Sequence, residues 1–322
     1  MPMISIIVTV FNLEAYISDC LESIKKQSLA DFEVIIINDG SNDNSENAIN
    51  RIISDDARFK LFNTENRGVS EARNTALELS SGEYIIFVDG DDMITEDCLS
   101  TCINAINDND IVVFNYKKLN DKSISNNNDY YSESMRRSNI ETLCIEAIML
   151  EPNPWGKFYR NEVFRGIKYP KGVLYEDYAI FYKLFKGRKV DFIDDKLYIY
   201  RIRNGSIMRS FDRRRISDKE MILTELHNEL HGSWNDDTRR AYVNSYLFHF
   251  IFVTFNVICN SSNKPLIDGK ALKKAANKKY FTYHNILSSK SLSATAKVFL
   301  FLIKLSVPLS FFTKKMFTWL RK

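Results

Sequence analysis

Between residues 3 and 116 the chain alternates β-branched runs with amphipathic stretches, and this alternation constrains the fold more than any other feature. "MISIIVTV" (3–10), "EVIIIN" (33–38), "FKLFN" (59–63), "YIIFVD" (84–89) and "DIVVFNY" (110–116) read as strands. The first is apolar without interruption, the pattern of a strand buried on both faces. Between them lie helical patterns. In "EAYISDCLESIKKQ" (14–27), Tyr16, Ile17, Cys20, Leu21 and Ile24 form one stripe. "SEARNTALELS" (70–80) reads as a helix capped by Ser70, and "EDCLSTCINAIN" (96–107) as another. Such alternation predicts an α/β fold whose mainly parallel sheet carries helices on both faces. Ligands of such sheets bind beyond the carboxyl ends of the strands. Polar groups collect at those ends: Thr9 with Asn12, Asp39 with Ser41, and Asp89 with Asp91.

The fourth strand ends in "VDGDD" (88–92), three carboxylates within four residues. Two like charges about 4 Å apart cost roughly 4 kcal/mol at an effective dielectric near 20. A cation, a protonated carboxyl or nearby lysines would offset that cost. Acids at a strand terminus suit a hard divalent cation, with substrate phosphates and water completing its shell. The plainer alternative is solvated or helix-capping acids, with Asp92 as the cap of a helix starting near residue 95. Neither GxxxxGK[ST] nor GxGxxG is present, so any phosphate must be met by metal and side chains.

Downstream, 120–138 is polar and Asn-rich and reads as a loop, followed by a helix over 139–150. "LYEDYAIFYKLF" (174–185) starts acidic and becomes an apolar-faced helix; "KVDFID" and "LYIYRIR" read as two short strands. From about 211 the pattern is helical. "HNELH" (227–231) lacks the HExxH order, since its Glu lies far round the helix from His227, so ordinary helix histidines are expected. The five cysteines form no CxxC, which points to reduced thiols in the cytosol. "MPMISIIVTV" reads as a first strand rather than a signal peptide. A net charge of +3 argues against a dedicated nucleic-acid binder.

"SIIVTVFNLEAYISDCLESIKKQSLADFEVIIINDGSNDNS", "NRGVSEARNTAL", "GEYIIFVDGDD", "PWGKFYR", "LYEDYAIFYKLF" and "YRIRNGSIM", in this order over roughly residues 3–210, resemble inverting family-2 glycosyltransferases of the GT-A fold, of the type that builds bacterial capsule, O-antigen and exopolysaccharide. The resemblance implies a GT-A domain over 1–210, with a nucleotide-binding half (1–117) and an acceptor half (118–210). A helical extension (211–290) and an amphipathic basic segment (291–322) would follow. It implies transfer of one sugar from a nucleotide-sugar donor, a UDP-sugar, to a glycan or polyprenyl-diphosphate-linked acceptor, with Mn²⁺ or Mg²⁺ as cofactor. Thr9, Asn12 and Asp39 match positions around the nucleotide, with Asp39 accepting the uracil imide N–H, and Arg73 matches a basic contact on the same side. Asp89 and Asp91 match the DxD motif, Asp91 as metal ligand and Asp89 nearer the ribose. Glu176 and Asp177 match the acidic pair, with Asp177 as base. Trp155 would line a sugar pocket or sit in the core. Arg201, Arg203 or Ser206 would meet the diphosphate. The alternatives are a non-catalytic nucleotide-sugar-binding scaffold module, a sugar-nucleotide pyrophosphorylase and a processive synthase. The last two lack their expected Gly-rich basic loop and QxxRW.

"YLFHFIFVTFNVIC" (246–259) is apolar but reads as too short to span a bilayer, so a buried helix is expected. "VFLFLIKLSVPLSFF" (298–312) is flanked by lysines and suits an anionic membrane surface, which would make the protein peripheral at the inner face of the cell membrane. Packing on the protein's own core, or a dimer contact, is the competing expectation.

Overall fold

The structure is a computed structural model and describes residues 2–120, 123–125, 152–203, 211–230, 235–289 and 292–320. These fall into two compact units, one running to Arg203 and the other beginning beyond it.

Unit 1 opens with β1 (Ile4–Val10), α1 (Ile17–Lys25), β2 (Phe32–Asp39), α2 (Ser45–Ile53), β3 (Phe59–Thr64), α3 (Val69–Leu79) and β4 (Tyr84–Asp89). It continues with β5 (Met93–Ile94), α4 (Cys98–Ile106), β6 (Ile111–Asn120), β7 (Ser123–Ser125), β8 (Lys157–Arg160), α5 (Glu176–Phe185) and β9 (Val190–Ile202). One sheet runs β3-β2-β1-β4-β8-β6-β9-β5, with β7 beside β6. β3, β2, β1 and β4 are mutually parallel. β8 runs antiparallel to both β4 and β6, while β6 and β9 are parallel. The sheet is therefore mixed, and its parallel half is the one that the alternating pattern predicted.

Several local expectations change. The two short strands after residue 189 are one 13-residue strand, β9, whose register against β6 shifts around Asn115. β8 and the two-residue β5 are too short for a period-2 pattern to reveal them. The loop expected over 120–138 contains β7, and the helix expected over 139–150 lies outside the described residues. Ser70 does not cap α3. Gly68 is the N-cap residue, and the Ser70 hydroxyl donates to the Pro170 carbonyl at 2.7 Å.

Every residue of β2 is buried, including Glu33. Burial alone would push this carboxyl upward. Donors from Lys60 (2.8 Å), Ser5 (2.7 Å) and Ser81 (2.8 Å, both hydroxyl and amide) win, and its pKa falls to about 2. The Ser5 hydroxyl also accepts the Gly82 amide at 2.9 Å. A Cβ at Gly82 would lie 2.6 Å from the Ser5 nitrogen. Gly82→Ala is therefore expected to destabilise by about 1–3 kcal/mol through overpacking, read as a lower urea midpoint at unchanged m-value.

Unit 2 is helical: α6 (Arg214–Leu230), α7 (Asp236–Ser261), α8 (Pro265–Ala275), α9 (Tyr283–Ser288), α10 (Ala294–Leu305) and α11 (Val307–Leu320). The apolar run at 246–259 lies within α7, a 26-residue helix with a π-helical stretch over Tyr246–Val253. By length and composition α7 is sufficient to cross a membrane, yet 61% of its apolar window is buried, with Leu247, Phe250, Phe255 and Ile258 fully enclosed. His227 shares a 3.0 Å hydrogen bond with the Tyr280 hydroxyl, a structural role; His231 lies outside the described residues. Cys98 and Cys102 are buried free thiols in α4, and Cys20 and Cys259 are also free; Cys144 lies outside the described residues.

Candidate active site

The carboxyl ends of β1, β2 and β4 are level. Thr9 pairs with Asp89 across β1 and β4, and Val10 pairs with Asn38 across β1 and β2. The loops that leave these strands are stitched together. Asn12, with a positive φ of 53° that Asn tolerates well, donates its amide to Ser41 Oγ (3.0 Å) and accepts from the Asn42 amide (2.8 Å). Glu14 and the 43–44 turn exchange hydrogen bonds at 3.0 and 2.8 Å. Asn12 therefore ties the loop after β1 to the loop after β2. Thr9 is half-buried at the end of β1, and Phe11, two residues on, is 43% exposed.

Asp39 is buried, and its two oxygens accept the Arg67 and Gly68 amides at 2.8 Å each. It anchors the turn into α3, and any base contact would use its remaining lone pairs.

The three acids after β4 have three different fates. Asp89 Oδ1 faces Arg73 Nη2 at 3.5 Å. Burial raises its pKa to about 6; Arg73 opposes this, while Asp91 and Glu176 add to it. Asp91 accepts from Arg203 Nε, and its backbone carbonyl accepts from Arg201 Nε at 3.0 Å. Asp92 is buried and does not cap a helix. Its oxygens accept from the Tyr198 hydroxyl (2.8 Å) and the Arg201 amide (2.7 Å), while α4 begins later, with Asp97 at its N-cap. Burial first, then the Asp91 and Asp89 charges, push the Asp92 carboxyl well above the ordinary range. Charge repulsion in "VDGDD" is thus relieved by arginines distant in sequence and by one acid held toward its neutral form. Tyr198 accepts the Asp89 amide at 3.1 Å as well, so β9 braces the whole acidic turn.

Arg73 is the centre of the site. It is buried, donates to Glu176 Oε1 at 2.5 Å, faces Asp89 at 3.5 Å and lies over the Tyr169 ring at 5.4 Å. Burial opposes its charge, yet Glu176 and Asp89 outweigh burial and keep it protonated. The guanidinium joins the acidic end of β4 to the start of α5. The face of α3 that carries it explains how. Ser70 lies three residues before Arg73 and four before Asn74, the helical spacing that puts both on the face of Ser70. Ser70 holds Pro170, and Asn74 clamps the Tyr169 backbone through both its amide nitrogen and oxygen at 2.9 Å. The segment leading to Glu176 and Asp177 is thereby fixed against α3.

Asp177, half-buried in the first turn of α5, accepts the Tyr178 amide at 2.7 Å. Burial, then Glu176, raise its pKa to about 7; Arg73 and the Tyr178 amide oppose them. A carboxyl poised near neutrality is suited to general-base work.

Trp155 requires correction. It is only 9% exposed, stacks on Tyr198 (4.6 Å, 7°) and Tyr200 (5.5 Å, 20°), and meets the edge of Tyr116 at 5.0 Å. The ring packs in the core and supports the strand that carries Tyr198, instead of lining a sugar pocket. Arg201 and Arg203 are engaged by acids: Arg201 reaches Asp19 at 2.7 Å, and Arg203 reaches Asp91. Ser206 lies outside the described residues. Asn74, Tyr169 and Tyr198 escaped the sequence reading. Asn74 had a signal in its four-residue helical spacing from Ser70, whereas the other two had none.

Residues 5–167 match Glycosyl transferase family 2. The chain belongs to this family. It is 31% identical over 224 residues to glycosyltransferase GlyG of Streptococcus pneumoniae, covering 65% of this chain and 73% of GlyG. It is 40% identical over 112 residues to the teichoic acid poly(glycerol phosphate) polymerase of Staphylococcus epidermidis, covering 34% of this chain but only 16% of the polymerase. The fold is that of S. aureus TarS 1–349 in complex with UDP-GlcNAc, at a TM-score of 0.70 and 19% identity, over 98% of this chain and 91% of that one. This family member is a glycosyltransferase with a GT-A-type mixed sheet followed by a helical unit.

Proposed function

We propose that this glycosyltransferase moves a single sugar, with inversion, from a UDP-sugar to a glycan or polyprenyl-diphosphate-linked acceptor in cell-surface polysaccharide synthesis. The observation that carries this reading is the Arg73 bridge, which joins Asp89 to Glu176 and so brings the acidic turn after β4 beside Asp177. Donor-binding and proton-accepting carboxylates then share one site. The likeness to TarS, which was solved with UDP-GlcNAc, supports a UDP-sugar. The stretch shared with a teichoic acid polymerase supports a cell-surface product.

Asp89 and Asp91 fit a divalent cation, Mn²⁺ or Mg²⁺. Both are hard oxygen donors at a strand end, and among the described residues Asp91 Oδ1 has no hydrogen-bond partner. Once bound, such a cation supplies Lewis-acid neutralisation of the departing diphosphate. The chain's own residues do the rest. Asp177 accepts the acceptor hydroxyl's proton as that oxygen bonds to the anomeric carbon, and the bond from this carbon to the diphosphate breaks with its electron pair leaving on UDP. Glu176, held by Arg73, keeps the start of α5 in place. Arg203 holds Asp91.

The test is UDP release across a panel of UDP-sugars with Mn²⁺, alone and with candidate acceptors. Asp91→Ala is expected to lower turnover by at least about 10²-fold, consistent with loss of charge stabilisation at the leaving group. Full activity in this variant, or turnover indifferent to chelator, would overturn the metal-dependent reading.

A further inference from the structure

We propose that the C-terminal helices of unit 2 form a docking surface for an anionic lipid membrane. This inference stands apart from the donor chemistry.

Charge is the first observation. From residue 262 onward the chain carries thirteen Lys and Arg against one acid, a net of +12; the 31 basic and 40 acidic residues before it give −9. The single acid, Asp268, is buried, and its charge is taken up by Arg213 at 2.8 Å, with Ser262 also donating to it. No acidic side chain in this stretch therefore softens the positive surface.

Exposed apolar area is the second. Of the thirteen large hydrophobic residues exposed among the described residues, nine fall between 266 and 312: Leu266, Ile267, Tyr283, Leu287, Val298, Phe301, Leu305, Leu309 and Phe312. α10 shows what is unusual. One face (Ala296, Phe299, Leu300, Ile303) is buried within the unit. A surface helix should then turn polar residues outward. Here Val298, Phe301 and Leu305, spaced by three and four, form the opposite face and are 50%, 39% and 56% exposed.

Neighbouring helices extend this face and rim it with lysines. Tyr283 of α9 meets Phe301 at 4.7 Å between ring centroids. Lys304 donates to the Phe281 carbonyl (2.6 Å) and lies over the Tyr283 ring (5.3 Å). Lys297 donates to the Leu287 carbonyl (3.1 Å) and Lys273 to the Leu305 carbonyl (3.4 Å). Apolar residues ringed by ammonium groups match the acyl–headgroup boundary of an anionic bilayer. A second copy of the chain is the weaker occupant, because pairing this face with itself would oppose two strongly positive surfaces. A purely polyanionic ligand leaves the apolar residues without a use.

The experiment is flotation of the full chain with phosphatidylcholine vesicles, with and without phosphatidylglycerol, at low and high salt. The wild type should float with anionic vesicles only, and less so at high salt. The combined variant Val298→Ser, Phe301→Ser, Leu305→Ser should lose at least about tenfold in bound fraction, with donor hydrolysis and circular dichroism unchanged. Should it fail to fold, the rim pair Lys273→Glu and Lys297→Glu tests the same surface through its charge, since each basic residue there is worth roughly fivefold in partitioning. Equal flotation with neutral vesicles, no flotation at all, or wild-type flotation of both variants would overturn the proposal. So would conversion of a wild-type dimer to a monomer by the serine variant, because the face would then be a self-interface.

Discussion

Asp177→Asn should lower sugar transfer by about 10²–10⁴-fold, the usual contribution of a positioned general base, while donor affinity stays unchanged. Asparagine keeps the shape and can still accept the Tyr178 amide, but it cannot take a proton. The wild type carries its own control in its pH profile. With the carboxyl raised to about 7, its basic form is lost as pH falls, so kcat/KM should drop by about tenfold per pH unit on the acid side. A flat acid limb in the wild type, or wild-type turnover in the asparagine variant, would remove Asp177 from the role of base. If Asp177→Glu retains more activity than Asp177→Asn, proton acceptance rather than packing is what the position supplies.

The second large effect is expected at Arg73. Truncation to alanine leaves Glu176 and Asp89 without their shared cation. Breaking a buried ion pair from one side typically costs about 3–5 kcal/mol, which a urea titration reads directly. Activity should fall with it, because the same group ties α5 to the acidic turn. A finer consequence follows from sign. Arg73 lowers the Asp177 pKa, so removing it should move the acid limb toward higher pH. Arg73→Lys retains the charge and should keep more of the stability, but a lysine cannot span two carboxylates as a planar fork does. Its activity is therefore expected near the alanine value. A lysine variant with full activity and an unmoved limb would show that charge alone, not the bridge, organises the site.

Much of this architecture was legible in residue order. The alternation over the first 116 residues predicted the parallel half of the sheet because period and burial are local properties. A β-branched run such as 3–10 has few alternatives to a buried strand, and the observed pairing of β1 between β2 and β4 fits it. The acidic strand end and the acidic helix start were equally visible, since both are dense in one kind of residue. Less legible was the antiparallel half. β8 and β5 are held by pairing with strands distant in the chain, and four or two residues carry no period of their own.

Roles were harder to read than positions. Asp89, Asp91 and Asp92 look alike in sequence, yet one faces Arg73, one Arg203 and one a tyrosine hydroxyl and a backbone amide. Trp155 read equally well as a sugar platform or a core ring, and only its stacking on Tyr198 and Tyr200 decided the matter.

By itself, then, the residue order determined which segments are strands and helices, which of them end in carboxylates, and that the stretch from residue 262 onward is strongly basic. Those are properties of composition and short-range period. Tertiary structure alone decided that Arg73 stands between acids 16 and 103 residues away, which acid is held toward neutrality, and which carboxyl is lifted to the edge of neutral pH. The reason is physical. A carboxylate's charge, partners and proton affinity depend on dielectric and distance, and both are set only when remote segments close around it.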